Sequence, residues 1–185
     1  MQAIAGDPWL SAIVGDARRV TGVATYSNYQ LISRRGSGPG WVMVGDAFGF
    51  VDPMLSPGVF LALRSAELVA QALTPVLERR TPASPGALAA MLRSYAVTQT
   101  AALAAWSDLV AYFYDGRMLA LLRSGHAWME HGSSRLKTAM QDHIERHIAL
   151  QAGGMRTTAR YSRGLLRLVS RHGLRGVEPA ELAIR

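Results

Sequence analysis

The sequence predicts a mostly α-helical chain with a few strands near its beginning. Three observations carry that expectation. Residues 20–33 are crowded with β-branched and aromatic side chains (Val23, Thr25, Tyr26, Tyr29, Leu31, Ile32), a mixture that suits a pleated surface. A short apolar run, Trp41 to Val44, follows the turn-rich "RRGSGPG" of residues 34–40. From Gly58 onward, apolar residues recur at helical spacing almost to the end of the chain.

Taken in order, Val20 to Ser33 reads as a strand, and residues 34–40 read as turn chemistry without periodicity. Trp41 to Val44 reads as a strand buried on both faces. After Gly58 the period turns helical (Val59, Leu61, Leu63, Ala66, Val69, Leu73), and Pro75 should end or kink that helix. "TPASPG" at 81–86 is a break, with Ser84 as the N-cap of the next helix and Pro85 at its first position. That helix carries Leu92, Tyr95, Leu103, Trp106, Leu109 and Phe113 and stops at Asp115-Gly116. Shorter helices are expected near 117–123, 134–151 and 157–171, separated by glycines at 125, 132, 153–154 and 173. Two or three strands cannot form a sheet that covers itself. The chain therefore reads as the later part of a larger fold.

A chain of 185 residues with 49% hydrophobic content can bury a core. The absence of cysteine excludes disulfides and thiolate metal sites. No apolar run approaches the roughly 18 residues of a membrane span, and Met1 does not lead into a signal-like segment. The expectation is a cytoplasmic protein with no transmembrane segment. Its net charge is +7, yet Lys137 is its sole lysine. Arginine in place of lysine, beside abundant alanine and glycine, fits a GC-rich coding sequence, so the charge alone does not argue for nucleic acid and none is expected as a partner.

The stretch "GDAFGFVDPMLSPGVFLAL", residues 45–63, carries the chemistry. A carboxylate, Asp46, stands where an apolar run stops, and Ser56-Pro57-Gly58 stands where a helix starts. The first N–H groups of a helix lack internal partners, and its dipole favours negative charge there. Ser56 is expected to cap, Pro57 to preset the first backbone angle, and Gly58 to let a ligand approach the backbone. Asp46 is suited to accept hydrogen bonds from hydroxyl donors. Such a site fits a molecule with a polyol part and an electron-rich end.

Gly45-Asp46-Ala47, Gly49-Phe50 and Asp52-Pro53, followed by Ser56-Pro57-Gly58, resemble the second flavin-contacting motif of the FAD-dependent monooxygenase superfamily (para-hydroxybenzoate hydroxylase-like fold). Within it they are most similar to the flavin-dependent halogenase and geranylgeranyl reductase-like branch. The likeness is strong over residues 20–75, including "YSNYQ" at 26–30, and weaker at "YFYDGRM", 112–118. It implies the C-terminal part of an α/β FAD-binding fold. Residues 1–80 would complete an FAD and substrate domain, and residues 81–185 would form a helical C-terminal region. It also implies that Asp46 holds the FAD ribityl chain, and that the backbone at Pro57-Gly58-Val59 faces the pyrimidine edge of the ring. Pro53 would shape the wall near the ring, and Gly45, Asp52 and Ser56 would be among the cofactor-binding residues.

The electron source implied is NAD(P)H or a partner flavin reductase, and the substrate a small molecule. Halogenation, hydroxylation and double-bond reduction all stay open. The dinucleotide fingerprint GxGxxG is not in this chain, since "GSGPG" at 36–40 has the wrong spacing and precedes a strand. An N-terminal FAD-binding segment, in the same chain or a separate one, is therefore an implied partner. Pro57 has no N–H for a halide, and Lys137 stands in no matching context.

No nucleophile, P-loop or catalytic carboxylate pair stands out, so no catalytic residue is nominated. His143 and His147 share one helix side, but "HIERH" lacks the zincin spacing, and a solvated face is expected rather than a metal site. Arginines at 156, 160, 163, 167, 171 and 175 line one side of a helix, opposite Leu165, Leu168 and Val169. They read as a solvated face, a dock for an acidic surface of a missing domain or a partner, or a peripheral membrane or nucleic-acid contact. The tryptophans and Tyr112 to Tyr114 read as core or interface aromatics. The alternative to a flavoenzyme portion is a stand-alone or split-chain helical interaction protein with a vestigial flavin motif.

Overall fold

The computed structural model describes residues 6–14, 17–18, 20–22, 24–25, 30–78, 83–130, 134–174 and 176–184. A short helix α1 (Pro8–Val14) is followed by strands β1 (Ser37–Gly38) and β2 (Trp41–Val42), then 3-10 turns at Gly45–Ala47 and Pro53–Leu55. Five longer helices come next: α2 (Gly58–Leu77), α3 (Pro85–Tyr114), α4 (Arg117–Glu130), α5 (Arg135–Ala152) and α6 (Arg160–His172). A last 3-10 turn spans Pro179–Leu182. The chain is mostly α with a few strands, as its sequence predicts.

Helix α3 is the axis of the molecule. Ser84 caps it by accepting from the Ala87 amide at 3.2 Å, with Pro85 inside the first turn. Its buried residues Tyr95, Leu103, Trp106, Leu109 and Val110 meet Phe48, Val51 and Leu61 from the motif region and Met118 and Leu166 from the later helices. It stops at Asp115, and Gly116 turns the chain with φ +79. Arg117 then grips Asp115 (Nη2 to Oδ2, 2.5 Å) and lies 3.9 Å over the Tyr112 ring. That carboxylate raises the Arg117 pKa against the opposing effect of burial.

Several expectations are corrected. The stretch 34–40 is half of a hairpin: Ser37 pairs with Val42 and Gly38 with Trp41, across a Pro39-Gly40 turn whose Gly40 has φ +75. Trp41 to Val44 is not buried on both faces, for Trp41 and Val44 are 41% and 39% exposed. The reason is local: the Trp41 ring lies over the space where Gly38 lacks a Cβ, and nothing among the described residues forms a second layer outside it. Of the strand expected over Val20 to Ser33, the described residues show a single bridge, Ile32 to Gly49. Val23, Tyr26 and Tyr29, with most of "YSNYQ", lie outside the described residues.

Helix α2 runs past Pro75 and ends within a turn of it, at Leu77. Helix α2 is long and apolar enough to cross a membrane by length and composition alone, with mean hydropathy 1.3 and 11% of the window buried. Its middle nonetheless carries the Arg64–Glu67 pair, and its buried Ser65 bonds to the chain in front of it. Helix α4 passes through Gly125 instead of ending there. The side chain of Gln141 from α5 occupies the place of a Gly125 Cβ, so this glycine permits a close helix crossing rather than a break.

His147 is not on a solvated face. It is 7% exposed, and its Nδ1 lies 2.8 Å from the buried Ser162 Oγ of α6. His143, one turn away, remains exposed and meets the Tyr161 hydroxyl through Nε2 at 2.7 Å. Burial lowers the His147 pKa below the ordinary imidazole value, and the charges of His143, Arg156 and Arg146 push the same way. The unfolded chain therefore takes up this proton more readily than the folded one. The contribution linked to this proton is fully present above about pH 6.5, the ordinary imidazole value, and is lost as pH drops through the window below it. Thermal midpoints at neutral and mildly acidic pH check this: the wild type should lose stability on acidification more steeply than His147→Gln. Equal slopes would remove His147 as the cause.

The arginine side also needs revision. Arg163 points inward and pairs with Asp108 of α3 at 2.6 Å, while Arg167 reaches the same carboxylate at 3.5 Å. Leu168 is not on the buried side, being 57% exposed; Ser162, Leu166 and Ser170 form that side instead. Arg175 lies outside the described residues.

Candidate functional site

The motif from Gly45 to Val59 wraps around the first turns of α2. Gly45 is buried with φ +55, in the left-handed region where glycine is at ease. A Cβ there would stand 3.2 Å from the Ala62 Cβ. The Gly45 amide donates to Ser65 Oγ at 2.8 Å, and that hydroxyl donates to the Ala62 carbonyl at 2.8 Å. The turn bearing Asp46 is thus pinned to α2 at Ser65, about two helical turns, roughly 10 Å along the axis, from Gly58. Tyr95 of α3 completes the clasp by donating to the Met43 carbonyl at 2.7 Å. Burial pushes its phenol pKa up, with the Ser65 hydroxyl opposing. Ser65→Ala would leave the buried Gly45 amide without a partner, a cost of about 1–3 kcal/mol. Urea unfolding should show that loss, and an unchanged midpoint would contradict this clasp.

The other motif residues have tasks within the fold. Phe48 is 1% exposed, sits edge-on to Tyr95 at 5.8 Å between ring centres, and fills the space above Gly36. Gly49 leaves room for Leu103 of α3. Asp52 Oδ1 accepts from the Met54 amide at 3.0 Å and from the Tyr114 hydroxyl at 2.9 Å, and so fixes the Pro53–Leu55 turn to the end of α3. Ser56 is not the cap of α2. Its φ of 51 places it in the left-handed region at the end of that turn, where its hydroxyl faces the Pro53 carbonyl at 3.4 Å. Pro57 holds the N-cap position instead, without a side-chain hydrogen bond, and is buried. The geometry of the preceding turn has overridden the local capping preference of serine.

Three positions are left without such tasks. Asp46 is exposed, and its carboxylate makes no hydrogen bond or ion pair among the described residues. Around Gly58 the place of a Cβ is open, with no atom within 4 Å. Val59 is 73% exposed. The N–H groups at 58–60 begin a 20-residue helix whose first turn carries no acidic side chain, so no carboxylate of that turn offsets the positive end of its dipole. An exposed carboxylate and an open helix start thus flank the same first turns of α2. Together they offer an acceptor for hydroxyls and donors for an electron-rich edge.

This is an open surface rather than an enclosed pocket. A cavity of about 10 Å³ lies between α3 and α6, lined by Asp108, Tyr112, Gln151 and Arg163. It has room for about one water and involves none of the motif residues. Among the described residues no group of three or more His, Asp or Glu side chains could hold a metal. Sequence reasoning missed Ser65, Tyr95 and Tyr114 as the residues that fix the motif. They act across 20, 52 and 62 positions respectively; Tyr95 was read only as part of an apolar stripe and Tyr114 only as part of "YFYDGRM", neither as a partner of the motif.

No family model matches the chain, and no solved structure does either. Among curated proteins, the chain is similar to a tryptophan 2-halogenase of Chondromyces crocatus, with 34% identity over 93 residues. The match takes in 50% of this chain and 17% of that protein's length. The chain is therefore related to a halogenase over half of its own length and a small share of the relative's.

Proposed function

We propose that this chain is the C-terminal portion of a FAD-dependent oxidoreductase and supplies the part of the site that holds the ribityl chain and pyrimidine edge of the flavin. One observation carries the reading. Gly45, Phe48, Gly49, Asp52 and Ser56 each serve the fold, whereas Asp46 and Val59 are exposed and the space beside Gly58 is open. The residue types fit the group: a carboxylate for ribityl hydroxyls, and a helix N-terminus for the electron-rich ring edge. Similarity to a tryptophan 2-halogenase supports the same class.

FAD when bound supplies the redox chemistry, accepting electrons from NAD(P)H or a flavin reductase. The chain's residues orient it and place fixed positive potential beside its ring. An N-terminal segment, in the same or a separate chain, supplies the dinucleotide fingerprint, and the substrate is a small molecule. Pro57, having no N–H, offers no halide contact at that position, so hydroxylation and double-bond reduction stand beside halogenation as outcomes for the complete enzyme.

The test is flavin retention by the protein in its full encoded length, co-expressed with a separate dinucleotide segment if one is encoded apart. Asp46→Ala removes hydrogen bonds to a charged acceptor worth about 1.5–3 kcal/mol, so FAD affinity should fall by roughly 10- to 150-fold. Unchanged flavin occupancy in that variant would end the assignment. The reading of a helical interaction protein is favoured by a different surface, on α5 and α6, which is independent of the flavin motif.

A further inference from the structure

Residues 146–177 contain seven arginines and no aspartate or glutamate. Asp108 of α3 is shared by Arg163 and Arg167, while Arg160 and Arg171 are exposed and form no ion pair among the described residues. At about 100° per residue, Arg160, Arg167, Arg171, Leu168 and Tyr161 fall within one sector of roughly 120° on the outer side of α6. Leu168 and Tyr161 are 57% and 58% exposed. Tyr161 joins this sector to α5 through its hydroxyl contact with His143. Along α5, His143 continues a line of exposed apolar residues at helical spacing, Met140 and Leu136, the latter 78% exposed. Asp142 of α5 lies about 100° around the helix from His143 and at least about 120° from Leu136 and Met140, and Glu145 at least about 140° from all three.

The result is an uncovered apolar ridge (Leu136, Met140, Tyr161, Leu168) bordered by cations and turned away from the acidic residues of its own helices. The charge selects a partner with dense negative charge, and the ridge selects one with apolar depth beside that charge. A duplex nucleic acid or a densely acidic peptide meets the arginines but offers little apolar depth to the ridge. An anionic bilayer meets both, with headgroups for the guanidinium groups, acyl chains for the leucines, and an interfacial level suited to tyrosine. We infer that the outer surface of α5 and α6 docks this protein on anionic phospholipid membranes.

The experiment is co-sedimentation of the full chain with phosphatidylcholine vesicles, with and without phosphatidylglycerol, alongside a vesicle-free control for self-association. Binding is expected to the phosphatidylglycerol vesicles, to weaken with added salt, and to persist in millimolar inorganic phosphate. Each basic residue near such a surface is worth roughly fivefold in affinity. Arg160→Gln with Arg171→Gln should therefore weaken binding by about 25-fold, and Leu168→Ser by severalfold, at unchanged helix content by circular dichroism. If the double variant fails to fold, the lipid and salt dependence of the wild type and the Leu168→Ser variant still decide. Equal binding to neutral vesicles overturns the inference, as does no binding to anionic ones. So does loss of lipid binding to free phosphate, or capture by poly-glutamate or duplex DNA without any by vesicles.

Discussion

Trp106→Ala is expected to remove about 3–5 kcal/mol of stability, a large fraction of the ~5–15 kcal/mol that holds a typical domain folded. Trp106 is 2% exposed near the centre of α3. Its ring lies 6.0 Å from that of Phe60, in the first turn of α2. Truncation would open a cavity at the crossing of the two helices that carry the candidate site, and few neighbours could collapse into it because Leu103, Leu109 and Leu61 are already packed. Urea unfolding should show a lower midpoint at an unchanged slope. Loss of the Phe60 contact should also loosen the open helix start. A midpoint within experimental error of the wild type would show that the core is centred elsewhere.

Gly116→Ala should be nearly as damaging for a different reason. Gly116 has φ +79, where an L side chain costs about 1–3 kcal/mol. An added Cβ would also stand 2.0 Å from the Pro179 carbonyl oxygen and 2.8 Å from the Ala183 nitrogen. Both are backbone atoms, so the segment 179–184 must be displaced rather than a side chain turned. That segment is tied to α3 by the Ile184 amide, which donates to the Tyr114 carbonyl at 2.9 Å. Limited proteolysis should therefore cut the variant near residues 176–184 much faster than the wild type, with a fall in thermal midpoint. Equal protection in both proteins would show that the turn does not hold the C-terminal segment.

The helices were legible because their period and their ends are local properties. Ser84-Pro85 and Asp115-Gly116 mark the ends of α3 within a few residues of chain, and the structure has both. The misreadings arose where a local preference met a tertiary constraint. Gly125 suggests a break by propensity, yet its lack of a side chain is used to admit Gln141. Ser56 suggests a cap, yet the turn before it requires the left-handed conformation there. The apolar run Trp41 to Val44 carries no information on whether a second layer will cover it. His143 and His147 look equivalent in sequence, and only the crossing of α6 makes one buried and the other exposed.

For the proposed site, the resemblance points to Asp46, Gly58 and Val59, of which Asp46 and Val59 are exposed and Gly58 has open space beside it. The residues that hold them in place were not legible. A hydroxyl on one helix and a tyrosine on the next have no spacing rule that links them to a turn 20 or 52 residues earlier.

The bond between Asp52 and Tyr114 has a consequence for the order in which the protein is made. Its partners are 62 residues apart in sequence, and synthesis proceeds at roughly 5–20 residues per second. The turn at Pro53–Leu55 therefore leaves the ribosome some 3–12 s before the residue that clamps it. During that interval Asp46 and the start of α2 are on a nascent chain whose loop is not yet fastened. The site can acquire its final shape only after the far end of α3 has left the ribosome, so a pause inside the α3 codons would prolong the unfastened state, and one after Tyr114 has emerged would not.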